Sequence, residues 1–152
     1  MRKLCLLLLA AGLAPGQEGK TDFSGAWELQ VSKSDFGPLP PPESQTYVVE
    51  HKDPKLKINT TSKTAQGERK TDVLYTTDGQ ENTNEVSGAT RKSKTRWAGK
   101  DLVTEAEFEA QGSKIRLKDT WRLGEDGKTF TIDRAINSDF GEAVQKLIFA
   151  KK

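Results

Sequence analysis

The chain enters its first predicted strand through the segment Asp22-Phe23-Ser24-Gly25-Ala26-Trp27-Glu28-Leu29. Within it, Trp27 and Leu29 alternate with polar residues, and this period of two is typical of a strand with one buried face. Residues 32–44 cannot continue the strand, because their four prolines remove backbone donors and Gly37 interrupts the run. The segment therefore predicts an opening strand, at residues 25–31, followed by a long loop.

The rest of the chain consists of short alternating runs separated by glycine-containing turns, of which Asp78-Gly79 and Asp126-Gly127 are strong hairpin signals. The predicted strands span residues 45–51, 56–62, 68–76, 81–86, 89–97, 102–110, 114–123, 129–136 and 144–150. Such a series without a convincing helix is typical of a sandwich or a barrel, and the short consecutive connections favour the barrel. We therefore expect an all-β fold, an antiparallel up-and-down β-barrel of about 8–10 strands. Its closure requires residues 144–150 to pair with residues 25–31.

The first sixteen residues have the composition of a secretory signal peptide. A basic start, Met1-Arg2-Lys3, precedes an apolar run over residues 4–14. The small-x-small pattern at residues 14–16 predicts cleavage before Gln17, so that residues 17–152 form one exported domain, periplasmic or secreted. Cys5 lies at the start of the apolar run without a small residue before it, so we interpret it as incidental rather than as a lipid anchor.

The charge and cysteine content of the mature chain limit its partners and its means of stabilisation. Loss of Arg2 and Lys3 reduces the 24 basic residues to 22, which match the 22 acidic ones. A neutral total does not favour nucleic acid as a partner. Without cysteine after cleavage, the mature chain has no disulfide, so its stability must come from its core.

The hairpin around residues 98–101 predicts one wall of a ligand cavity. Its register places Trp97 opposite Leu102. Beyond that pair, the face expected to point inward carries small side chains, one arginine and one aromatic ring: Arg91, Ser93, Thr95, Thr104 and Phe108. Small inward residues leave space, and an interior arginine needs an anion or water. The alternative is a hairpin at the edge of the barrel, with Arg91 in solvent.

The other face of the same hairpin pairs Lys94 with Glu105 and Lys92 with Glu107. Opposite charges that face each other indicate the solvent side of the sheet. The basic run at residues 91–96 therefore has local partners and is not interpreted as a nucleic-acid site.

The hairpin around Asp126-Gly127 places one acid and one base inside an apolar face. Its register sets Asp119 opposite Arg134, beside Trp121. Inward charges are costly unless they are paired, so we interpret Asp119 and Arg134 as a structural pair, with a catalytic or ligand-binding role as the alternative. Five residues are expected to close and support the barrel: Gly25, Trp27, Asp119, Trp121 and Arg134. In this arrangement Arg134 is expected to cover the ring of Trp27.

These residues resemble the calycin superfamily, which comprises the lipocalins and the fatty-acid-binding-protein-like barrels. Phe23-Ser24-Gly25-Ala26-Trp27 is similar to their Gly-x-Trp start, and Arg134 resembles the arginine that packs across that tryptophan in lipocalins. The turns at residues 97–102 and 126–129 are similar to those of small exported lipocalin-like proteins of bacteria. What those bacterial proteins do is largely unassigned, so the resemblance implies the barrel fold more than a function.

The chain also departs from these families in three respects. Animal lipocalins usually carry a disulfide, which the mature chain lacks. Fatty-acid-binding proteins have a helix pair after the first strand, where this chain has a proline-rich loop. Their carboxylate-gripping Arg-x-Tyr is replaced here by Arg134-Ala135-Ile136, so that clamp is not carried over intact.

Several kinds of chemistry are excluded by composition. With one histidine, His51, and no mature cysteine, a His/Cys metal cluster and a cysteine nucleophile are excluded, and no Gly-x-Ser-x-Gly elbow is present. No cofactor is predicted. His51 ends a strand before a turn and is expected to face solvent, with axial ligation of haem as the alternative.

Three functions remain open. The first is an exported, non-catalytic barrel that binds a small apolar or amphipathic molecule. The second is an interaction module with a filled core, which would use the proline-rich residues 38–42 or an exposed edge strand. The third is a calycin-type isomerase or hydrolase with Asp119 and Arg134 as its site.

The signal peptide makes a testable prediction. When the full chain is produced in a Gram-negative host, the protein recovered from the periplasm should begin at Gln17. Intact-mass measurement and N-terminal sequencing check this. Recovery of the uncleaved chain from the cytoplasm would contradict it.

Overall fold

The computed structural model describes residues 21–152. The predicted signal peptide and the mature start at Gln17 lie outside the described residues. The described chain forms ten strands and one 3-10 turn at Val31–Lys33. The strands are β1 (Gly25–Leu29), β2 (Ser44–Lys52), β3 (Lys55–Thr64), β4 (Gly67–Thr76), β5 (Asp78–Val86), β6 (Ala89–Ala98), β7 (Asp101–Ala110), β8 (Ser113–Leu123), β9 (Thr129–Ser138) and β10 (Gly141–Lys151). Among residues 21–152, no helix is long and apolar enough to cross a membrane.

All ten strands belong to one antiparallel sheet in the order β4-β3-β2-β1-β10-β9-β8-β7-β6-β5. The last strand returns to the first, with Trp27 opposite Lys151 and Leu29 opposite Phe149. The predicted barrel and its closure by the final strand are therefore confirmed. Strands β4 and β5 are the two ends of the sheet, so the barrel is nearly closed, and we call the line between them the β4–β5 seam.

Both predicted hairpin registers are confirmed. Trp97 lies opposite Leu102, and Asp119 lies opposite Arg134. Each turn contains a glycine with positive φ, 64° at Gly99 and 67° at Gly127, a conformation that other residues adopt only at a cost. Local turn chemistry thus decides which side chains share a face.

The predicted cross-strand pairs on the outer face, Lys92 with Glu107 and Lys94 with Glu105, are confirmed, but the ion pairs of Glu107 are formed with another strand. Its carboxylate lies 2.8 Å from Nζ of Lys114 and 3.2 Å from Nε of Arg116. Both partners belong to β8, and the β6 residue directly opposite, Lys92, is not among them. In the middle of a sheet an exposed acid has neighbours on two sides, and a hairpin register identifies only one of them.

One end of the barrel, which we call the base, is filled by aromatic rings. Phe130 is fully buried at its centre. Its ring centroid lies 4.7 Å from Phe149, 4.8 Å from Trp27 and 5.1 Å from Trp121. Phe23 closes the base from below, where its carbonyl oxygen accepts a hydrogen bond of 2.9 Å from Nε1 of Trp27. Stacked and edge-on rings at these spacings add to the free energy gained from burial alone.

His51 is buried at the base, so the expectation that it faces solvent is wrong. The backbone N–H of Phe23 donates to its Nδ1 at 3.3 Å, and its Nε2 lies 3.4 Å from Oδ1 of Asp53. The imidazole stacks between the rings of Phe23 and Trp97. Both ring nitrogens are engaged within the protein, which argues against the haem alternative.

Arg134 does not cover Trp27, contrary to the sequence prediction. The cation over that ring is Nζ of Lys151, 5.4 Å from its centroid. Arg134 lies opposite Gln145 on β10, six residues before Lys151, which corresponds to about 20 Å along a strand. The register between β9 and β10 therefore carries Arg134 towards the opposite end of the barrel.

The first part of the loop that contains the prolines is hydrogen-bonded to β10. The backbones of Asp35 and Lys146 exchange two hydrogen bonds of 2.8 Å. A side chain at Gly37 would meet the Val144 carbonyl oxygen at 2.6 Å, so glycine permits the close approach. Phe36 packs against the core from this segment.

The aromatic base makes a prediction about stability. Phe130→Ala should lower the free energy of unfolding by about 3–5 kcal/mol, because it opens a cavity among five other aromatic side chains. Thr131→Ala, on the opposite face of the same strand, is the control and should cost less than about 1 kcal/mol. Urea denaturation followed by tryptophan fluorescence checks both values, and equal costs would contradict this role of the base.

Candidate functional site

A cavity of about 1050 Å³ occupies the barrel between the aromatic base and the opposite end. That end carries the β3–β4, β5–β6 and β7–β8 turns, residues of which form the rim of the cavity. The deeper wall comes from β2 to β9 and mixes apolar, hydroxyl and charged side chains: Tyr47, Ile58, Thr60, Val73, Tyr75, Val86, Arg91, Thr104, Phe108, Leu117, Asp119, Trp121 and Arg134. None of residues 25–43 lines it, so the proline-rich loop does not form its wall.

Three of the five predicted wall residues line this cavity: Arg91, Thr104 and Phe108. Ser93 and Thr95 do not line it and are buried in the packed wall. The hydroxyl oxygens of Thr95 and Thr104 lie 2.8 Å apart, so these two side chains satisfy each other. The difference arises because β6 runs from the cavity at Arg91 down to the base at Trp97, and inward residues along it lie at different depths.

The residues predicted to close the barrel separate into two places. Gly25 and Trp27 lie at the base, and Trp121 forms the floor between the base and the cavity. Asp119 and Arg134 lie in the cavity wall.

Asp119 and Arg134 form a two-point ion pair. Nε of Arg134 donates to one carboxylate oxygen of Asp119 at 2.8 Å, and Nη2 donates to the other at 2.8 Å. Burial disfavours the guanidinium, but the Asp119 carboxylate and its hydrogen bonds, assisted by the Tyr47 hydroxyl, outweigh burial and hold the pKa of Arg134 above its usual value. The charge of Asp119 is therefore matched by Arg134 alone.

Arg91 is the second cation of the cavity, and it has no carboxylate partner of this kind. Its guanidinium carbon lies 4.6 Å from the ring centroid of Phe108, and its Nε is buried without a hydrogen-bond partner. The Arg91 side chain is half-buried and lies on the strand next to the edge strand β5, so its position lies between the predicted interior one and the alternative in solvent. Among the deeper residues two arginines thus face one aspartate, whereas the whole cavity lining carries three arginines and three acidic residues, with Arg69, Glu68 and Glu109 at the rim.

Two tyrosines that sequence reasoning did not assign to the site complete its polar wall. Burial raises the pKa of Tyr47, although the nearby Arg134 acts in the opposite direction. Burial likewise raises the pKa of Tyr75, against the influence of Arg91. Each phenol therefore stays protonated near neutral pH and can donate a hydrogen bond. The alternation of Tyr47 with Val49, and of Val73 with Tyr75, is the signal that could have found them.

Within residues 21–152, no group of three or more histidine, cysteine, aspartate or glutamate side chains could hold a metal ion.

No protein-family model and no curated protein matches this chain. Among solved structures it is similar to a secretory abundant heat soluble protein from Ramazzottius varieornatus, with a TM-score of 0.61 and 15% identity over 85% of this chain and 94% of that one. Human cRBP IV matches with a TM-score of 0.60 and 18% identity, over 87% and 99% of the two chains. A zebrafish ileal bile acid-binding protein matches with a TM-score of 0.57 and 14% identity, over 86% and 98%.

The chain has the same β-barrel fold as these proteins. At these identities the likeness concerns the fold alone, and no binding residue is transferred from these proteins. A fold of this kind does not by itself specify a function, so the residues of the cavity must indicate what this barrel does.

The ion pair in the cavity wall makes a second prediction about stability. Asp119→Asn should lower the free energy of unfolding by about 2–4 kcal/mol, because Arg134 would keep its charge without a counter-ion. The double variant Asp119→Leu/Arg134→Met removes both charges and should recover most of the loss. Chemical denaturation measures both. A single variant as stable as the wild type would show that the pair is not structural.

Proposed function

We propose that this protein is an exported, non-catalytic carrier whose barrel binds a small amphipathic molecule with an anionic head group. The observation that carries the proposal is Arg91, a half-buried side chain in the cavity wall whose Nε is buried and has no hydrogen-bond partner.

The unpaired donor of Arg91 favours an anionic ligand group. A buried polar atom without a partner costs about 1–3 kcal/mol, and more when the group is charged. A carboxylate or sulfonate oxygen would accept from this donor in a charge-assisted hydrogen bond. The Tyr75 hydroxyl lies near the same guanidinium and can donate to the same head group.

Asp119 does not take this role, because both of its oxygens already accept from Arg134. The remaining positive charge in the deep cavity therefore belongs to Arg91. An anion entering the cavity would balance the local charge without breaking an existing ion pair.

The apolar part of the wall suits the rest of such a molecule. Ile58, Val73, Phe108 and Leu117 line the same cavity as Arg91. Its volume of about 1050 Å³ matches the upper range of small-molecule sites. The cavity can therefore enclose a lipid-sized tail together with its head group.

A structural neighbour supports this chemical class. The zebrafish ileal bile acid-binding protein was crystallised with cholic acid, an amphipathic carboxylic acid. The other two functions suggested by the sequence are less well supported. The interaction module requires a filled core, whereas this barrel contains a cavity of about 1050 Å³. The enzyme would use Asp119 and Arg134, but the two hydrogen bonds between them favour a structural role over a catalytic one.

Fluorescent probes test the proposal. We expect 11-(dansylamino)undecanoic acid to bind the wild type, and Arg91→Gln to weaken this binding by about 10- to 100-fold, as for loss of a charge-assisted hydrogen bond. The methyl ester of the same probe, which lacks the charge, should bind both proteins with similar affinity.

The control variant is Arg96→Gln, on the same strand but on its exposed face, and it should bind the acid as the wild type does. Absence of binding to the wild type would refute the carrier. Equal affinity of Arg91→Gln and wild type for the acid would refute the role of Arg91.

A further inference from the structure

The inner face of β3 and β4 changes from apolar to polar at one level of the barrel. Below this level, Ile58 of β3 lies opposite Val73 of β4, and both side chains are buried. One step closer to the rim, Thr60 lies opposite Thr71. Because the two paired strands change at the same level, their polar side chains form one continuous area of the cavity surface.

Two further residues extend this area towards the rim. Ser62 follows Thr60 on the inner face of β3, and Gln45 of β2 lies opposite Ser62. All four side chains line the cavity and are half-buried. We call Gln45, Thr60, Ser62 and Thr71 the polar wall.

The side chains of the polar wall are not engaged by the protein itself. Within residues 21–152, none of the side-chain hydrogen bonds involves the hydroxyl or amide groups of these four residues. By contrast, the hydroxyl oxygens of Thr95 and Thr104 lie 2.8 Å apart and satisfy each other. The three hydroxyls and the amide of the polar wall therefore keep their capacity to donate and to accept hydrogen bonds.

The opposite side of the cavity is apolar. Following the strand order around the barrel, β3 and β8 lie half a turn apart, so they face each other across the interior. Leu117 of β8, and Phe108 and Ala110 of the neighbouring β7, line the cavity there. A ligand that fills the space between the two sides therefore meets a polar surface on one flank and an apolar surface on the other.

We propose that the ligand of this barrel is an amphipathic acid whose body carries hydroxyl groups, and that the polar wall binds these hydroxyls. The inference rests on the proposed binding function and defines the class of ligand more closely. A plain hydrocarbon chain against the polar wall would remove water from four polar side chains without replacing its hydrogen bonds, which is costly. A hydroxyl group both donates and accepts, so it can take the place of such a water molecule.

The position of Arg91 agrees with this class of ligand. The Tyr75 hydroxyl lies near its guanidinium, and Tyr75 is one step deeper than Val73 on the inner face of β4. Thr71 is one step closer to the rim than Val73. An acid group held by Arg91 therefore places the body of the ligand beside the polar wall, between the head group and the rim.

Two acids of equal chain length test this class of ligand. One is 9,10-dihydroxystearic acid, which carries two hydroxyls in mid-chain, and the other is stearic acid, which carries none. We expect the wild type to bind the diol at least about tenfold more tightly, although the diol is the less hydrophobic of the two. The reason is that a site with hydrogen-bonding groups discriminates against an analogue that leaves them unpaired. Isothermal titration calorimetry measures both dissociation constants.

Variants of the polar wall should reverse this preference. Thr60→Val/Thr71→Val removes two hydroxyls and nearly preserves their shape. It should weaken binding of the diol about 10- to 100-fold and strengthen binding of stearic acid severalfold. Thr60→Ser/Thr71→Ser keeps the hydroxyls and should keep the preference for the diol. The control is Thr61→Val, on the outer face of β3, which should bind both acids as the wild type does.

Two results would overturn the inference. One is a wild type that binds stearic acid as tightly as the diol. The other is a valine double variant in which the affinities for both acids are unchanged, which would show that the polar wall does not contact the ligand. If this variant does not fold, the comparison of the two acids on the wild type decides the question.

Failure of the carrier itself gives a different result. In that case the wild type binds neither acid. Binding of stearic acid that depends on Arg91, without any advantage for the diol, would support the carrier and refute only the hydroxylated class of ligand.

Discussion

The return of β10 to β1 is the constraint on which the rest of the structure depends. Once the last strand pairs with the first, the ends of the sheet must lie between two consecutive strands elsewhere, and here they are β4 and β5. The same pairing brings Leu29 and Phe149 into the aromatic base. The pairing of β10 with β1 therefore creates a tightly packed end of the barrel and leaves no backbone ladder between β4 and β5.

The two ends of the barrel differ in packing and in charge. Ring packing around Phe130 is dense, whereas an open volume of about 1050 Å³ above Trp121 gives up contacts that a filled core would make. The charges follow the same division. Asp119 and Arg134 neutralise each other with good geometry, while Arg91 stays unpaired at Nε. The proposed anionic ligand would supply the acceptor that the Nε of Arg91 lacks.

The fold could be predicted from the sequence because its determinants are local. Asp-Gly and Gly-Lys turns set the registers of Trp97 with Leu102 and of Asp119 with Arg134, and these are the observed ones. The errors concern contacts between distant segments. The position of Arg134 relative to Trp27 depends on the register of β9 with β10 and on that of β10 with β1. His51 is covered by Phe23, which is 28 residues earlier in the chain. Alternation also indicates which way a side chain points but not how deep it lies, so Ser93 and Thr95 could not be separated from Arg91.

Side chains, and not a backbone ladder, join β4 to β5 at the β4–β5 seam. A regular ladder between β4 and β5 would join them over their full length, and its loss would be as costly as the loss of any other strand pair. Asn82 and Asn84 instead join them at two points through flexible side chains. Local opening needs only the loss of these few hydrogen bonds, whereas unfolding must also separate the rings of the base. The free energy needed to separate β4 from β5 along this line is therefore smaller than the free energy of unfolding.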